Sequence, residues 1–177
     1  MKELRIALIG HRFMGRAHSN AWNQVARFFD PALKPVLQVV CGRDKKDLTA
    51  FAERWGWAEI ETDWKKVLER NDIDAIDIAT PTFLHAEMAI AAAEAGKHIF
   101  CEKPFCNSLA EAEAMLEAVE KAGVVHYLNH NYRRCPAVLL AKKMISDGDL
   151  GEIFHWRGAY QQSWLVNPEH PLDWKLQ

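Results

Sequence analysis

Leu4-Arg5-Ile6-Ala7-Leu8-Ile9-Gly10-His11-Arg12-Phe13-Met14-Gly15 is the stretch on which the fold turns. Residues 4–9 form a short, mostly apolar run closed by Gly10, the profile of a strand covered on both faces. A helical pattern follows from about Met14 to Phe28 and ends at Asp30-Pro31. The same unit then repeats. Val36–Cys41 reads as a strand closed by Gly42, and Lys45–Trp55 as a helix with Leu48, Phe51, Ala52 and Trp55 on one face and Gly56 past its end. Asp74–Ala79 is a third strand, unusual in holding Asp74 and Asp77, and Phe83–Ala95 is an Ala-rich helix stopped by Gly96. His98–Cys101 is a fourth strand. Ser108-Leu109-Ala110-Glu111 is a capping box, in which Ser and Glu side chains take up each other's free backbone N–H groups. It opens a helix to about Ala122, and Val124–Leu128 is a fifth strand. Strands alternating with helices of this length imply right-handed crossovers. The expectation is an α/β fold, a doubly wound parallel sheet, over residues 1–125.

Residues 126–177 lose that rhythm and read as the beginning of a second, incomplete α+β domain. Pro136 to about Ser146 is helical, and Glu152–Trp164 is a strand-like run carrying Phe154, Trp156, Tyr160 and Trp164. A long strand with no later strand to pair with predicts a missing neighbour or another copy of the chain, hence a homo-oligomer. The whole chain has 177 residues, 49% of them hydrophobic, and 22 Lys plus Arg against 24 Asp plus Glu for a net charge of -2. A packed core is therefore expected, and general nucleic-acid binding, which needs a basic excess, is not. The first apolar run is far too short to span a membrane. Cys41, Cys101, Cys106 and Cys135 form no CxxC pair, and a reducing, cytoplasmic setting is expected. His126, His130, His155 and His170 share no ligand-like spacing, so no metal is expected.

Four strand ends carry chemistry. A strand-to-helix turn with glycines at Gly10 and Gly15 is two thirds of the GxGxxG pattern that lets helix N–H groups meet a pyrophosphate, with Arg12 at the middle position. A plain turn is the competing reading, and Arg12 is expected to crowd the phosphates. After the second strand, Gly42-Arg43 leans towards the 2′-phosphate of NADP, while Asp44 keeps NAD open. Thr80-Pro81-Thr82-Phe83-Leu84-His85 and Cys101-Glu102-Lys103-Pro104 follow the third and fourth strands, at carboxyl ends where open α/β sheets bind ligands. Lys103 between an acid and a proline can hold a carbonyl or hydroxyl oxygen and relay a proton; a solvated Lys–Glu pair is the bland alternative.

These stretches together, with Ala95-Gly96-Lys97-His98, Asn131-Tyr132-Arg133, Trp164 and Pro171-Leu172-Asp173-Trp174, resemble the glucose–fructose oxidoreductase and inositol dehydrogenase family of NAD(P)-dependent oxidoreductases. The resemblance implies a Rossmann-like domain and hydride transfer between a nicotinamide and a sugar or cyclitol carbon. It implies that Gly10, Arg12, Phe13, Met14 and Gly15 frame the pyrophosphate and Arg43 lies near the adenosine. Thr80, Pro81, His85, Glu102 and Asn131 would line the cofactor groove. Lys103 would be catalytic, touching the substrate oxygen, with Arg133 on the substrate side. Family members carry an Asp and a His in a Gly-rich segment soon after the Trp matching Trp174, whereas this sequence ends at Gln177. The expectation is a truncated chain, inactive by itself. The alternative is a non-catalytic dinucleotide-binding or self-associating module.

Overall fold

Lys2–Ile9 (β1) buries its last four residues completely or nearly so, as an apolar run flanked on both faces must. The structure is a computed structural model that describes residues 2–163 and 166–169. Helix Phe13–Phe28 (α1) follows β1, then Leu33–Cys41 (β2), Lys45–Trp55 (α2), Glu59–Glu61 (β3) and Trp64–Leu68 (α3). Ala75–Ile78 (β4), a 3₁₀ turn at Thr82–Leu84, His85–Glu94 (α4), His98–Glu102 (β5), Leu109–Ala122 (α5) and His126–Asn129 (β6) complete the repeat. All six strands are parallel, in the order β3-β2-β1-β4-β5-β6. This is the expected doubly wound α/β fold with one strand more. Glu59–Glu61 escaped the hydrophobic pattern because a three-residue edge strand, Glu-Ile-Glu, has neither the length nor the apolar content to show a period.

The chain winds outward from β1 to β3 and then crosses back to place β4 on the other side of β1. That reversal opens a crevice at the carboxyl ends of β1 and β4. Register makes the ends level: Ile9 stands beside Cys41 and Ile78, Ile78 beside Cys101, and Cys101 beside Leu128. Two cores flank the sheet. Ile9, Ile76, Ile78 and Ile99 pack against Met88 and Ala92 of α4 and Met115 and Val119 of α5. On the opposite face Ile6, Leu8, Leu37 and Val40 pack against Leu48 and Phe51 of α2.

Local signals set the helix ends. Asp44 caps α2 by accepting the Asp47 N–H at 2.9 Å, and Gly56 ends it in the left-handed region. Ser108 accepts the Glu111 N–H as expected, but the Glu111 carboxylate reaches the Asn107 N–H at 2.8 Å, one residue outside the box as drawn from the sequence.

The chain falls into two compact units, residues 1–129 and residues 130–177. The first unit extends past residue 125 because β6 supplies the sixth strand of the sheet. Within the second, Asn131–Arg134 form a 3₁₀ turn, Pro136–Ser146 (α6) begins with Pro136 in its first turn, and the Tyr132 and Tyr160 hydroxyls are 2.6 Å apart. Residues 152–163 form no regular secondary structure, so the expected strand is not there. A strand persists through ladder hydrogen bonds, and among the described residues no neighbour offers them. Trp164 and 171–174 lie outside the described residues.

The tightest joint is Gly15, where an added Cβ would stand 2.3 Å from the Gly10 carbonyl oxygen. Gly15→Ala should destabilise the protein by about 1–3 kcal/mol, the usual range for overpacking, measured as a lower urea midpoint. Gly148→Ala, where nothing lies within 4 Å but φ is +81°, should lose only the backbone cost of a left-handed alanine, about 1 kcal/mol.

Candidate functional site

The pyrophosphate-type turn is built as the sequence reading requires at its two glycines. Gly10 adopts φ +106°, and a Cβ there would meet the Ala79 carbonyl oxygen at 2.5 Å. Its backbone therefore packs directly against the end of β4, while Gly15 lets α1 press onto the turn. The N-terminus of α1 has no side-chain cap and no acidic residue in its first turn. Its N–H groups and the positive end of the helix dipole are thus left for an anion. Arg12 occupies the cap position with φ -75°. Its side chain is exposed and lies 3.8 Å from Asp47, on the α2 side. Phe13 is also exposed and Met14 partly so.

At the end of β2 the space beside Gly42 belongs to His11. A Cβ on Gly42 would stand 2.5 Å from His11 Nδ1. The His11 ring also meets Phe51 edge-on, and burial, then the Arg12 charge, hold its pKa below the usual value. Asp44 caps α2, and Arg43 between them is exposed.

The loops after β4 and β5 are tied by a side chain expected in the groove itself. His85 is 1% exposed, with Nδ1 2.9 Å from the Pro104 carbonyl and Nε2 2.9 Å from the Thr80 carbonyl. It braces the two loops from beneath and cannot line an open groove. Thr80 and Pro81 are half-buried above it, and Lys103 is exposed. Lys97 of the Ala-Gly-Lys-His stretch is likewise architectural: its ammonium donates to the Arg70 and Ile73 carbonyls at 2.6 and 2.9 Å. Asn131 and Arg133 lie in the 3₁₀ turn of the second unit, exposed.

Glu102 departs most from expectation. Expected to face a nicotinamide, it is 3% exposed and turned into the sheet–helix interface. There the His18 imidazole of α1 sits between two carboxylates, Nδ1 at 2.8 Å from Asp77 and Nε2 at 3.0 Å from Glu102. Trp22 donates to the second Asp77 oxygen at 2.7 Å, and the Asn129 amide donates to Glu102. The other Glu102 oxygen accepts the Lys103 N–H at 3.1 Å. His18 and Asn129 escaped the sequence reading; the acids inside two apolar strands were the visible signal, since a buried carboxylate requires a partner. Among the described residues no cluster fit for a metal occurs.

Burial alone would lower the His18 pKa, but hydrogen bonds to Asp77 and Glu102 outweigh it and push the group up to about 9. Only a doubly protonated ring can donate to both acids. A pKa raised in the folded state stabilises fully below the unfolded value of 6.5 and is lost as pH rises through about 9. Urea unfolding should therefore show about 2 kcal/mol less stability at pH 8 than at pH 6, a loss much reduced in His18→Leu; at higher pH the buried Cys41 and Cys101 thiols, pushed up to about 12 by burial, add a further loss in both proteins.

The profile of an oxidoreductase family with an NAD-binding Rossmann fold matches residues 4–130. Levoglucosan dehydrogenase of Pseudarthrobacter phenanthrenivorans is 46% identical over 178 residues, covering 100% of this chain and 46% of that protein. D-apiose dehydrogenase of Paraburkholderia graminis is 32% identical, covering 97% and 44%. An oxidoreductase domain protein from Kribbella flavida superimposes with a TM-score of 0.95 at 50% identity, over 99% of this chain and 48% of that one. Levoglucosan dehydrogenase in complex with NADH and levoglucosan does so with a TM-score of 0.96 at 46% identity, covering 99% and 48%. The chain spans about half the length of the relatives it matches. With its six-stranded parallel sheet, two-glycine turn and Glu-Lys-Pro loop, it belongs to the Gfo/Idh/MocA family of oxidoreductases with an NAD-binding Rossmann fold.

Proposed function

We propose that this chain is the nicotinamide-dinucleotide-binding part of a dehydrogenase acting on a sugar or cyclitol hydroxyl carbon. The observation that carries the reading is the open, uncapped N-terminus of α1, aligned by strand register with the loops after β4 and β5. Met14 and Gly15 would hold the pyrophosphate on backbone N–H groups, Gly10, whose own N–H donates to the Cys41 carbonyl at 2.9 Å, would give the turn its close approach, and Arg12, with its side chain swung out, would add a cation rather than crowd the site. Thr80 and Pro81 would border the nicotinamide half. A nicotinamide held there would supply the hydride acceptor or donor. Lys103, exposed after β5, would hold the substrate oxygen, stabilise the negative charge that develops on it and relay the hydroxyl proton to water. Asn131 and Arg133 are proposed on the nicotinamide and substrate side.

Sugar substrates are supported by the relatives, levoglucosan dehydrogenase and D-apiose dehydrogenase. Those relatives carry about as many residues again, and the reaction as proposed is that of a chain of their length. A cytoplasmic site of action belongs to the same reading. So does assembly as a homo-oligomer, supported by the exposed Phe154, Trp156 and Tyr160.

For the cofactor we favour NADP, with NAD also accepted. A carboxylate at position 42 would take the ribose hydroxyls of NAD, but His11 fills that space and Asp44 is engaged at the α2 cap. Arg43, exposed just past Gly42, is the cation left for the adenosine end, Arg12 standing 3.8 Å from Asp47. In fluorescence titrations Arg43→Ala should weaken NADPH binding about tenfold, the loss of one charge-assisted contact of about 1.4 kcal/mol. NADH binding should change little. The double variant His11→Gly/Gly42→Asp should reverse the preference. Wild-type protein that binds neither dinucleotide at millimolar concentration would defeat the functional reading.

A further inference from the structure

We propose that His18 is a positioning residue: from α1 it clamps Asp77 of β4 to Glu102 at the end of β5, and through the Glu102 carboxylate it sets the backbone of Lys103. The inference rests on Lys103 acting at the substrate oxygen, as proposed above. Three observations converge on it. His18, Asp77 and Glu102 are 5%, 0% and 3% exposed, so their partners come from the protein interior. Each ring nitrogen of His18 is within hydrogen-bond distance of a different carboxylate. Glu102 spans the distance from core to site, with one oxygen on His18 and Asn129 and the other on the Lys103 N–H.

The groups around the ring leave it little freedom. Asp77 faces it from β4, Glu102 from β5, and Asn129 from β6, while the Phe100 ring meets it edge-on at 5.4 Å. Asp77 and Glu102 are thus the charged groups against His18, and one cation serves two anions. Well-packed hydrophobic residues of similar volume would hold helix to sheet at least as stably as buried charges do. What an apolar cluster could not do is hold the Glu102 carboxylate in one orientation and pass that orientation to the next peptide. Lys103 itself is exposed, and its loop otherwise leans on His85 through the Pro104 carbonyl. The peptide that carries the ammonium is therefore held from two sides, by a carboxylate on its own N–H and by an imidazole one residue on.

The test is amide NMR on the 177-residue chain, without cofactor and then with NADH or ADP-ribose, which lacks the nicotinamide. In the wild type the Lys103 amide shift should move with the same midpoint as the His18 ring signals, while the Val40 amide of β2 stays still. In His18→Gln, which is uncharged and offers both its donors from one nitrogen instead of from the two ends of a ring, Lys103 N–H exchange should accelerate about tenfold, the loss of one hydrogen bond of about 1.4 kcal/mol. Val40 should keep its protection. NADH affinity should fall while ADP-ribose affinity is retained. A Lys103 amide indifferent to His18 titration in the wild type overturns the positioning role, with no variant needed. Equal acceleration at Lys103 and Val40 in the variant also overturns it, because a merely structural cluster loosens the whole sheet. Wild-type protein that binds no dinucleotide overturns the functional reading instead, and the amide measurements still decide the role of His18.

Discussion

Everything at the site hangs on the contact of the β1–α1 turn with the end of β4. Gly10 lies so close to the Ala79 carbonyl, and Gly15 so close to the Gly10 carbonyl, that a methyl group at either would collide with backbone. Backbone cannot yield as a flexible side chain can, so the joint is a hard constraint. It brings α1 down at one angle, with its free N–H groups over the crevice and His18 and Trp22 over β4 and β5. The uncapped end of the helix and the buried charge cluster are thus two consequences of one close approach.

A parallel sheet with both faces covered is normally apolar throughout, because βαβ crossovers leave no strand side open to water. Here the α1-facing side of β4, β5 and β6 carries Asp77, Glu102 and Asn129 instead. Such a cluster is costly unless every member is paired. It is satisfied by a charged imidazole, an indole N–H and an amide, each from a different element or turn of the fold. The arrangement links cofactor-side geometry to core packing: the residue that ends β5 is both a core side chain and the anchor of the peptide before Lys103.

The family-like stretches divide into chemistry and architecture once side chains are placed. Lys103 stands in the open, free of the inward contacts that hold the other two. His85 and Lys97 point inward to backbone carbonyls and hold loops together. Resemblance of sequence treats these residues alike, because a loop brace and a ligand contact are equally intolerant of change. Burial separates them.

From the sequence alone five of the six strands, the helices between them other than α3, the parallel doubly wound sheet and the loops at its carboxyl ends could be derived. Hydrophobic periodicity and glycine stops act within a few residues, and crossover handedness is general to L-amino acids. Helices Lys45–Trp55, Leu109–Ala122 and Pro136–Ser146 fell where those local signals put them. The short edge strand Glu59–Glu61 did not show, because its stability comes from β2 and not from its own residues. Residues 152–163 of the run expected to be a strand form none for the reciprocal reason, since among the described residues no neighbour offers them ladder hydrogen bonds. Only the tertiary structure decided that Glu102 faces inward, that His85 braces rather than binds, and that His11 holds the place of a side chain at Gly42. These outcomes depend on pairs 59, 84, 19 and 31 residues apart, His18 with Asp77 and Glu102, His85 with Pro104, and His11 with Gly42. Direction of a side chain is set by what packs against it, and that partner is named by the fold, not by the neighbouring residues.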